Sequence, residues 1–230
     1  MANETKKQPE RPAETIPVGK AAAVANRILE KPKAVLLSKH HDISAFCSED
    51  ETRYVLGGAH YNAERKFLEA TDGRQLIRVP VEESDEFPEV KTALDHPPLD
   101  CIIPRVALQK GLRSIPKSSL EILQHARLDA NGKVSLTTFD LDNESALTTK
   151  PVEGNYPNTE QVIWTEEPTL TIALNPYYLK MIAEYASKHC HEKHTSIKLM
   201  FKSELEPMKW EVTLGNMQKA TGLLMPMRLS

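Results

Sequence analysis

Two clusters in the chain carry residue types that could do chemistry. His189, Cys190, His191 and His194 lie close together, with Glu192 among them, and imidazole and thiolate are the ligands zinc prefers. These residues are consecutive or nearly so, on a polar stretch where a helical pattern ends, and no second ligand set accompanies them. Cationic side chains at a helix C-terminus are favoured by the helix dipole, so the cluster is read as a polar loop and no metal is expected. His40 and His41, followed by Asp42, have the types for acid-base work, yet no nucleophile or glycine-rich phosphate loop goes with them. Nowhere does the chain carry a nucleophile elbow or paired metal-binding carboxylates. Cys47, Cys101 and Cys190 lack metal or disulfide spacing and read as free thiols of a reducing cytoplasm. Trp164 and Trp210 read as packing residues. The expectation is a protein that is not an enzyme and uses no cofactor.

Binding chemistry is more visible. The chain ends Met225-Pro226-Met227-Arg228-Leu229-Ser230, an apolar, methionine-rich string with one Arg. Tails are normally polar and frayed. An ordered apolar terminus implies something to pack against, and Met adapts to side chains of varied shape.

Charge points to a second surface. The 230 residues carry a net charge of −3, distributed unevenly. The segment 105–117 holds Arg105, Lys110, Arg113 and Lys117 with no acid, a net +4. The segment 18–33 is net +3 and the segment 176–193, with Lys180 and Lys188, is net +1, which leaves −11 for the remainder. All three segments read as helices. Basic helices on an acidic body suit a protein that turns one surface towards nucleic-acid phosphates. No apolar run approaches the roughly 20 residues that span a bilayer, and the N-terminus lacks the apolar core of a secretion signal. A cytoplasmic protein without a membrane partner is expected.

The elements that must position these residues follow a repeat. Residues 1–17 are rich in Lys, Glu, Pro and Thr and read as a disordered tail. Residues 18–33 read as a short amphipathic helix stopped near Pro32. A short strand, a helix and two to four strands then recur three times. The first copy spans about 34–82, with strand Ala34–Leu37, helix Ser38–Cys47, and strands Thr52–Tyr61, Lys66–Thr71 and Gln75–Val81. Asp72-Gly73 makes a hairpin turn in it. An acidic, Pro-rich linker covers 83–99. The second copy, about 100–154, has strand Asp100–Ile103, helix Arg105–Ile115, and strands Glu121–Leu128, Lys133–Phe139 and Ser145–Val152, with Asn131-Gly132 as a hairpin signal. The third copy, about 169–229, has strand Thr169–Leu174, helix Tyr177–Lys188 and strands Ser196–Lys202, Lys209–Leu214 and Gly222–Leu229. Asn175-Pro176 caps its helix. In helix 105–115, Ala107, Leu108, Gly111, Leu112 and Ile115 share one side while Lys110 and Arg113 face the other. Each copy therefore reads as a sheet with one helix across one face, an α+β layer.

Four stretches carry a resemblance to a known family. Glu51-Thr52-Arg53-Tyr54-Val55-Leu56-Gly57-Gly58 resembles the strand entering the middle domain of the bacterial sliding clamp, the beta subunit of DNA polymerase III. Ala70 to Leu76 resembles that family's Ala-Thr-Asp-Gly-His-Arg-Leu turn. Val152-Glu153-Gly154-Asn155-Tyr156-Pro157, with Val162-Ile163, resembles the end of the middle domain. Met225 to Leu229 matches the family's C-terminal pentapeptide. The resemblance covers roughly 34–230 and implies a sliding-clamp-like α+β fold with sheets outside and helices lining a hole around duplex DNA. It implies a clamp domain at 34–166, made of two half-units and resembling the middle domain. It also implies a half-unit at 167–230 resembling the end of the last domain.

Carried over residue by residue, the resemblance implies a groove for linear peptide motifs. It would be built from Leu56, Thr71, Gly73, Arg74, Gln75, Leu76, Pro157, Gln161, Val162, Leu223, Met225, Pro226, Met227 and Arg228. Arg105, Lys110, Arg113, Lys117, Lys180 and Lys188 would face DNA. The implied partners are double-stranded DNA, DNA polymerase, other proteins with clamp-binding motifs, and a clamp loader. The implied function is a replication processivity factor; a peptide-binding module that does not encircle DNA is the alternative. The chain departs from the family pattern at Arg74-Gln75, where the family has His-Arg, and at Asn158-Thr159, where it has Asp-Tyr. It also holds three half-units where a bacterial clamp has six, so the third lacks a partner half-unit and a homo-oligomer is expected.

Overall fold

The structure is a computed structural model that describes residues 33–85, 87, 96–140, 143–163, 165–190, 196–215 and 217–228. The expected N-terminal tail, nearly all of the expected helix at 18–33, most of the linker, and His191 and His194 lie outside the described residues. The chain forms two compact units that part between Asn158 and Thr159.

In the first unit, strands β1 (Ala34–Ser38), β2 (Gly58–Asn62), β3 (Phe67–Thr71), β4 (Leu76–Pro80) and β5 (Glu82–Ser84) come from the first copy of the repeat. The second copy supplies β6 (Cys101–Pro104), helix α1 (Arg105–Arg113), β7 (His125–Ala130), β8 (Val134–Asp140) and β9 (Asn143–Thr149). The copies do not build separate sheets, which corrects the layer reading. One sheet runs β5-β1-β7-β8-β9 and the other β4-β3-β2-β6. Each copy lends its opening strand to the other's meander. β1 pairs antiparallel with β7, Val35 opposite Leu128, and β6 pairs antiparallel with β2, Ile103 opposite Ala59.

The exchange explains why Ala34-Val35-Leu36-Leu37 is a continuous apolar run. β1 is an inner strand with both faces covered, and all four residues are buried. Val35 and Leu37 enter a core with Tyr61, Leu68 and Ile103, with Leu108 and Leu112 of α1, and with Leu128, Val134 and Leu136. Ala34 and Leu36 pack with Phe87 on the opposite side. Helix α1 buries the side expected of it: Ala107, Leu108, Gly111 and Leu112 are inside, while Lys110 and Arg113 are exposed. Each fully buried Leu contributes on the order of 1.5–3 kcal/mol. Gly111 sets how closely the helix approaches the sheet, since a Cβ there would stand 2.4 Å from Leu136 Cδ1.

Several expected elements differ. No α-helix covers 38–47; two 3-10 turns, Lys39–His41 and Ser44–Phe46, take its place. Polar side chains compete for the backbone here. The Ser38 amide donates to His41 Nδ1 at 3.0 Å, and the Ser44 hydroxyl donates to Asp42 Oδ1 at 2.6 Å. The strand expected at Thr52–Tyr61 starts only at Gly58; ahead of it Glu51–Gly57 forms 3-10 turns started by Asp50, whose carboxylate accepts from the Thr52 amide at 3.0 Å. Glu121–Gln124 is likewise a 3-10 turn ahead of β7.

The second unit holds helix α2 (Pro176–His189) and the meander β10 (Lys198–Met200), β11 (Met208–Thr213) and β12 (Lys219–Leu224). Asn175 caps α2 by accepting from the Tyr177 amide at 2.9 Å, and Pro176 occupies its first turn as expected. Trp210 lies across its cross-strand partner Gly222, where an added Cβ would meet the indole at 2.4 Å. The expected strand at 169–174 is reduced to one bridge, Ala173 to Met227. The final strand stops at Leu224, and Pro226, which has no amide hydrogen, follows shortly after.

His41 has a structural place in the first unit. It is buried at the end of β1, and its Nε2 lies 3.0 Å from the Pro80 carbonyl. With Nδ1 accepting from Ser38, Nε2 is the donor and the ring is neutral. Burial lowers its pKa below the ordinary 6.5. Above about pH 6.5 both folded and unfolded chains hold this ring neutral, and its contribution to stability is fully present. As pH falls the unfolded chain takes up the proton first, so stability is lost on the way down through the folded pKa. The urea midpoint should therefore decline below about pH 6.5, and more shallowly in His41→Gln. Equal slopes for the two proteins would refute this assignment.

Candidate functional site

Three of the four family-like stretches converge within the first unit. The convergence is built on a cross-strand row: His60 on β2, Glu69 on β3 and Arg78 on β4 are register partners. The nearly fully buried Glu69 carboxylate takes His60 Nδ1 at 2.9 Å and Arg78 Nε at 2.8 Å. Arg78 also lies over the Phe67 ring, 4.4 Å from its centroid. Tyr156, from the stretch 152–157, stacks on His60 with ring centroids 4.8 Å apart. Its phenol oxygen accepts from the Thr71 amide at 3.1 Å. Burial pushes the Tyr156 hydroxyl well above the ordinary tyrosine range, so it stays protonated.

Thr71 passes the connection into the turn. Its hydroxyl donates to the Gln75 carbonyl at 2.6 Å and accepts from the Gly73 amide at 3.0 Å. Asp72 Oδ1 accepts from the amides of Arg74 and Gln75 at 2.8 and 3.0 Å, and these bonds hold its carboxyl below the usual range. Gly73 has φ +86°, a left-handed conformation that glycine adopts freely. The stretch 51–58 joins through Arg53, whose Nη1 donates to the Asp72 carbonyl at 3.3 Å. It also meets the 152–157 stretch, because a Cβ on Gly154 would stand 2.9 Å from Val55 Cγ2.

The groove residues expected from the sequence fall on both units. In the first, Thr71 is buried, Leu56 and Leu76 are half-buried, and Gly73, Arg74, Gln75 and Pro157 are exposed. In the second, Leu223, Met225 and Met227 are 69, 62 and 52% exposed, Val162 is 69% exposed, and Gln161 and Arg228 are also open. Leu224 is buried and Pro226 half-buried, so the chain from 223 to 227 alternates, with Leu, Met and Met on its outer side. Large apolar side chains left in water in this way are informative, where scattered single ones are not.

Of the expected DNA-facing cations, Lys110, Arg113 and Lys117 are exposed and enter no ion pair among the described residues. Arg105 is half-buried and held by Glu49 Oε1 at 2.8 Å, and Lys180 pairs with Glu184 at 3.6 Å. Lys188 is exposed in the last turn of α2. No group of three metal-ligating side chains occurs among the described residues. Cys47, Cys101 and Cys190 are unpaired thiols; burial raises Cys47 to about 11 and Cys101 to about 12, which leaves both unreactive. Among the described residues no helix is long and apolar enough to cross a membrane.

Sequence reasoning did not single out Tyr156 as a site residue, although Asn-Tyr-Pro lay within a flagged stretch. An aromatic between turn formers was its signal. Nor did it find a cavity of about 580 Å³ in the first unit, lined by His60, Asp100, Asn131, Lys133 and Tyr156 among others.

No family model and no curated protein sequence matches the chain. Solved structures do. The DNA polymerase sliding clamp from Bacillus subtilis aligns over 86% of this chain and 50% of its own, with 17% identity and a TM-score of 0.62. The beta subunit of DNA polymerase from Streptococcus pyogenes aligns over 86 and 51%, with 16% identity and a TM-score of 0.62. The sliding clamp of Bartonella birtlesii, bound to griselimycin, aligns over 95 and 54%, with 21% identity and a TM-score of 0.57. The chain thus has the sliding-clamp fold and spans about half the length of these clamps.

The Tyr156 connection is open to test. Tyr156→Phe keeps a ring on His60 but leaves the Thr71 amide without its acceptor, at a cost of about 1–3 kcal/mol. Tyr156→Ala also removes the stack and should cost more. Thr71 amide exchange should accelerate in both variants, and unchanged protection at Thr71 would sink the assignment.

Proposed function

We propose that the chain is a clamp-like processivity factor of DNA replication, which holds duplex DNA without reading its sequence and carries client proteins on a peptide-binding surface. The observation that carries the DNA half of this reading is the two-sidedness of α1. Its buried stripe fixes the helix on the sheet, so the cations of its other side, Lys110 and Arg113, stand in solvent without acidic partners among the described residues. Fixed cations on a rigid element suit a phosphate backbone, where contacts position the protein and carry no sequence information. The fold likeness to polymerase clamps supports the same reading. No chemical step is part of it: the protein acts in the cytoplasm by tethering.

Peptide binding has two parts in this reading, one on each unit. On the second, the outward row Leu223, Met225 and Met227 takes the Leu or Phe that closes a client motif. Unbranched Met side chains can reshape around either. On the first, the turn Thr71–Leu76 presents Arg74 and Gln75 to the peptide main chain. Leu56, Leu76, Pro157, Gln161, Val162, Pro226 and Arg228 are the remaining contacts we assign. Polymerase, other motif-bearing proteins and a clamp loader are the partner class, and the working form is a homo-oligomer.

A labelled peptide carrying a polymerase clamp-binding motif should bind with micromolar affinity, about −7 to −8 kcal/mol. Deleting Met225–Ser230 should abolish binding while the circular dichroism of the remainder is kept. Equal binding by the truncated protein would remove the peptide assignment.

On DNA, binding should be indifferent to sequence and fall steeply with salt. Protein should be retained on closed circular duplex and lost when the circle is cut. Reversing Lys110 and Arg113 to Glu should weaken retention and leave peptide affinity unchanged. Retention unaffected by the reversals would count against α1 as the DNA surface. Peptide binding with no retention on circles would leave a client-binding module that does not encircle DNA.

A further inference from the structure

The cavity of about 580 Å³ in the first unit shares no lining residue with the peptide row or the cations of α1. Its size falls within the roughly 300–1,000 Å³ of small-molecule sites. Ile102, Ala130 and Val134 supply buried apolar lining. Beside them the stacked rings of His60 and Tyr156 complete a wall against which a flat body can pack. Polar groups surround this wall. Lys133 and Asn131 stand on the turn between β7 and β8, Asp100 stands ahead of β6, and Asn155 follows β9, all of them exposed.

These polar groups differ in what they can still bind. Lys133 enters no ion pair and the Asn155 carboxamide makes no hydrogen bond among the described residues. Asp100 spends Oδ1 on the Ala63 amide, and its Oδ2 remains open. Glu69, ion-paired with Arg78, acts as an acceptor, so His60 Nδ1 carries the proton in their 2.9 Å contact. Nε2 of the neutral ring then offers a lone pair, and it has no partner among the described residues. Two acceptors, a cation and a free amide thus share one cavity. An anion suits Lys133. N–H or O–H donors suit His60 and Asp100, and an apolar plane suits the wall.

We propose that this cavity binds a compact organic anion that carries hydrogen-bond donors away from its charge, the chemistry of a nucleoside monophosphate, and that the ligand steadies the turn Thr71–Leu76 through Tyr156. The phosphate lies at Lys133, and the heterocycle or the sugar hydroxyls donate to His60 and Asp100. A phosphate alone leaves both acceptors unanswered, and a neutral nucleoside leaves Lys133 unanswered, so tight binding needs both halves. Tyr156 carries the effect outward. Its ring lines the cavity while its phenol oxygen accepts from the Thr71 amide at 3.1 Å. A ligand that packs only on the ring in this position protects the Thr71 bond by mass action.

The inference rests on neither peptide nor DNA binding, so a titration of the full chain without either tests it apart from the proposed function. The four ribonucleoside monophosphates are titrated into isotope-labelled protein, with inorganic phosphate and the four nucleosides for comparison. At least one nucleotide should saturate, shift the amides of Gly132, Lys133 and Asn155, and slow exchange of the Thr71 amide. Phosphate and nucleoside should each bind at least about tenfold more weakly. Lys133→Ala and Asn155→Asp alter exposed side chains without partners among the described residues. Each should weaken binding about tenfold, the worth of one charge-assisted hydrogen bond. Lys209→Ala, which removes an exposed cation of β11, should leave affinity unchanged. Saturation by none of the nucleotides overturns the proposal. Equal affinity for inorganic phosphate also overturns it, marking an adventitious ion only, as does full affinity in both cavity variants. Nucleotide binding with unchanged Thr71 exchange overturns the coupling to the turn.

Discussion

The reciprocal exchange of β1 and β6 is the constraint on which the first unit depends. Neither copy closes a sheet alone, because the strand that completes each sheet begins the other copy. The exchange merges two potential half-cores into one that contains residues from both sheets and from α1. It also gives α1 its orientation. The helix follows β6 directly, so the edge to which β6 is bound dictates where the helix starts, and Gly111 against Leu136 dictates how low it lies. The exposed cations owe their position to strand pairing made elsewhere in the sequence.

The turn at 71–76 is held by a similar economy. Hydrogen bonds from Thr71 and Asp72 fix the turn from within, and Tyr156 and Arg53 fix it from two other segments. Most anchoring groups meet backbone; the Gln75 side chain donates to Asp72 Oδ2 at 3.1 Å, and Arg74 is exposed. A surface that must present side chains to a partner gains from this arrangement, since main chain held in advance need not be ordered on binding. The alternation Leu223, Met225, Met227 works by a different principle: extended chain with one side turned inward leaves the other side available.

Much of this was legible in the sequence. The helical stripe of 105–113, the Asn-Pro cap of α2 and the two hairpin signals depend on neighbours a few residues away, and all four are found. The four family-like stretches pointed to the sliding-clamp fold that the structural likeness shows. What escaped was non-local. The hydrophobic run of β1 fits a buried strand but does not say that its partner is β7. The helix expected at 38–47 fails because His41 reaches Pro80, nearly forty residues away, and the first part of the strand expected at 52–61 yields to an Asp50 cap beside it. The strand expected at 169–174 had the right composition and no neighbour among the described residues beyond Met227.

Strand exchange also orders events in time. β1 is among the first described segments to be synthesised, and its main partner β7 follows about 90 residues later, the kind of separation that slows folding. At a synthesis rate of roughly 5–20 residues per second, that is a delay of roughly 5–20 seconds. β5 emerges sooner but pairs over only three residues. The second unit has no such wait, because β10, β11 and β12 are hairpin neighbours. During synthesis, Ala34-Val35-Leu36-Leu37 is thus an apolar strand whose principal partner does not yet exist. Among the described strands it waits longest for its principal partner.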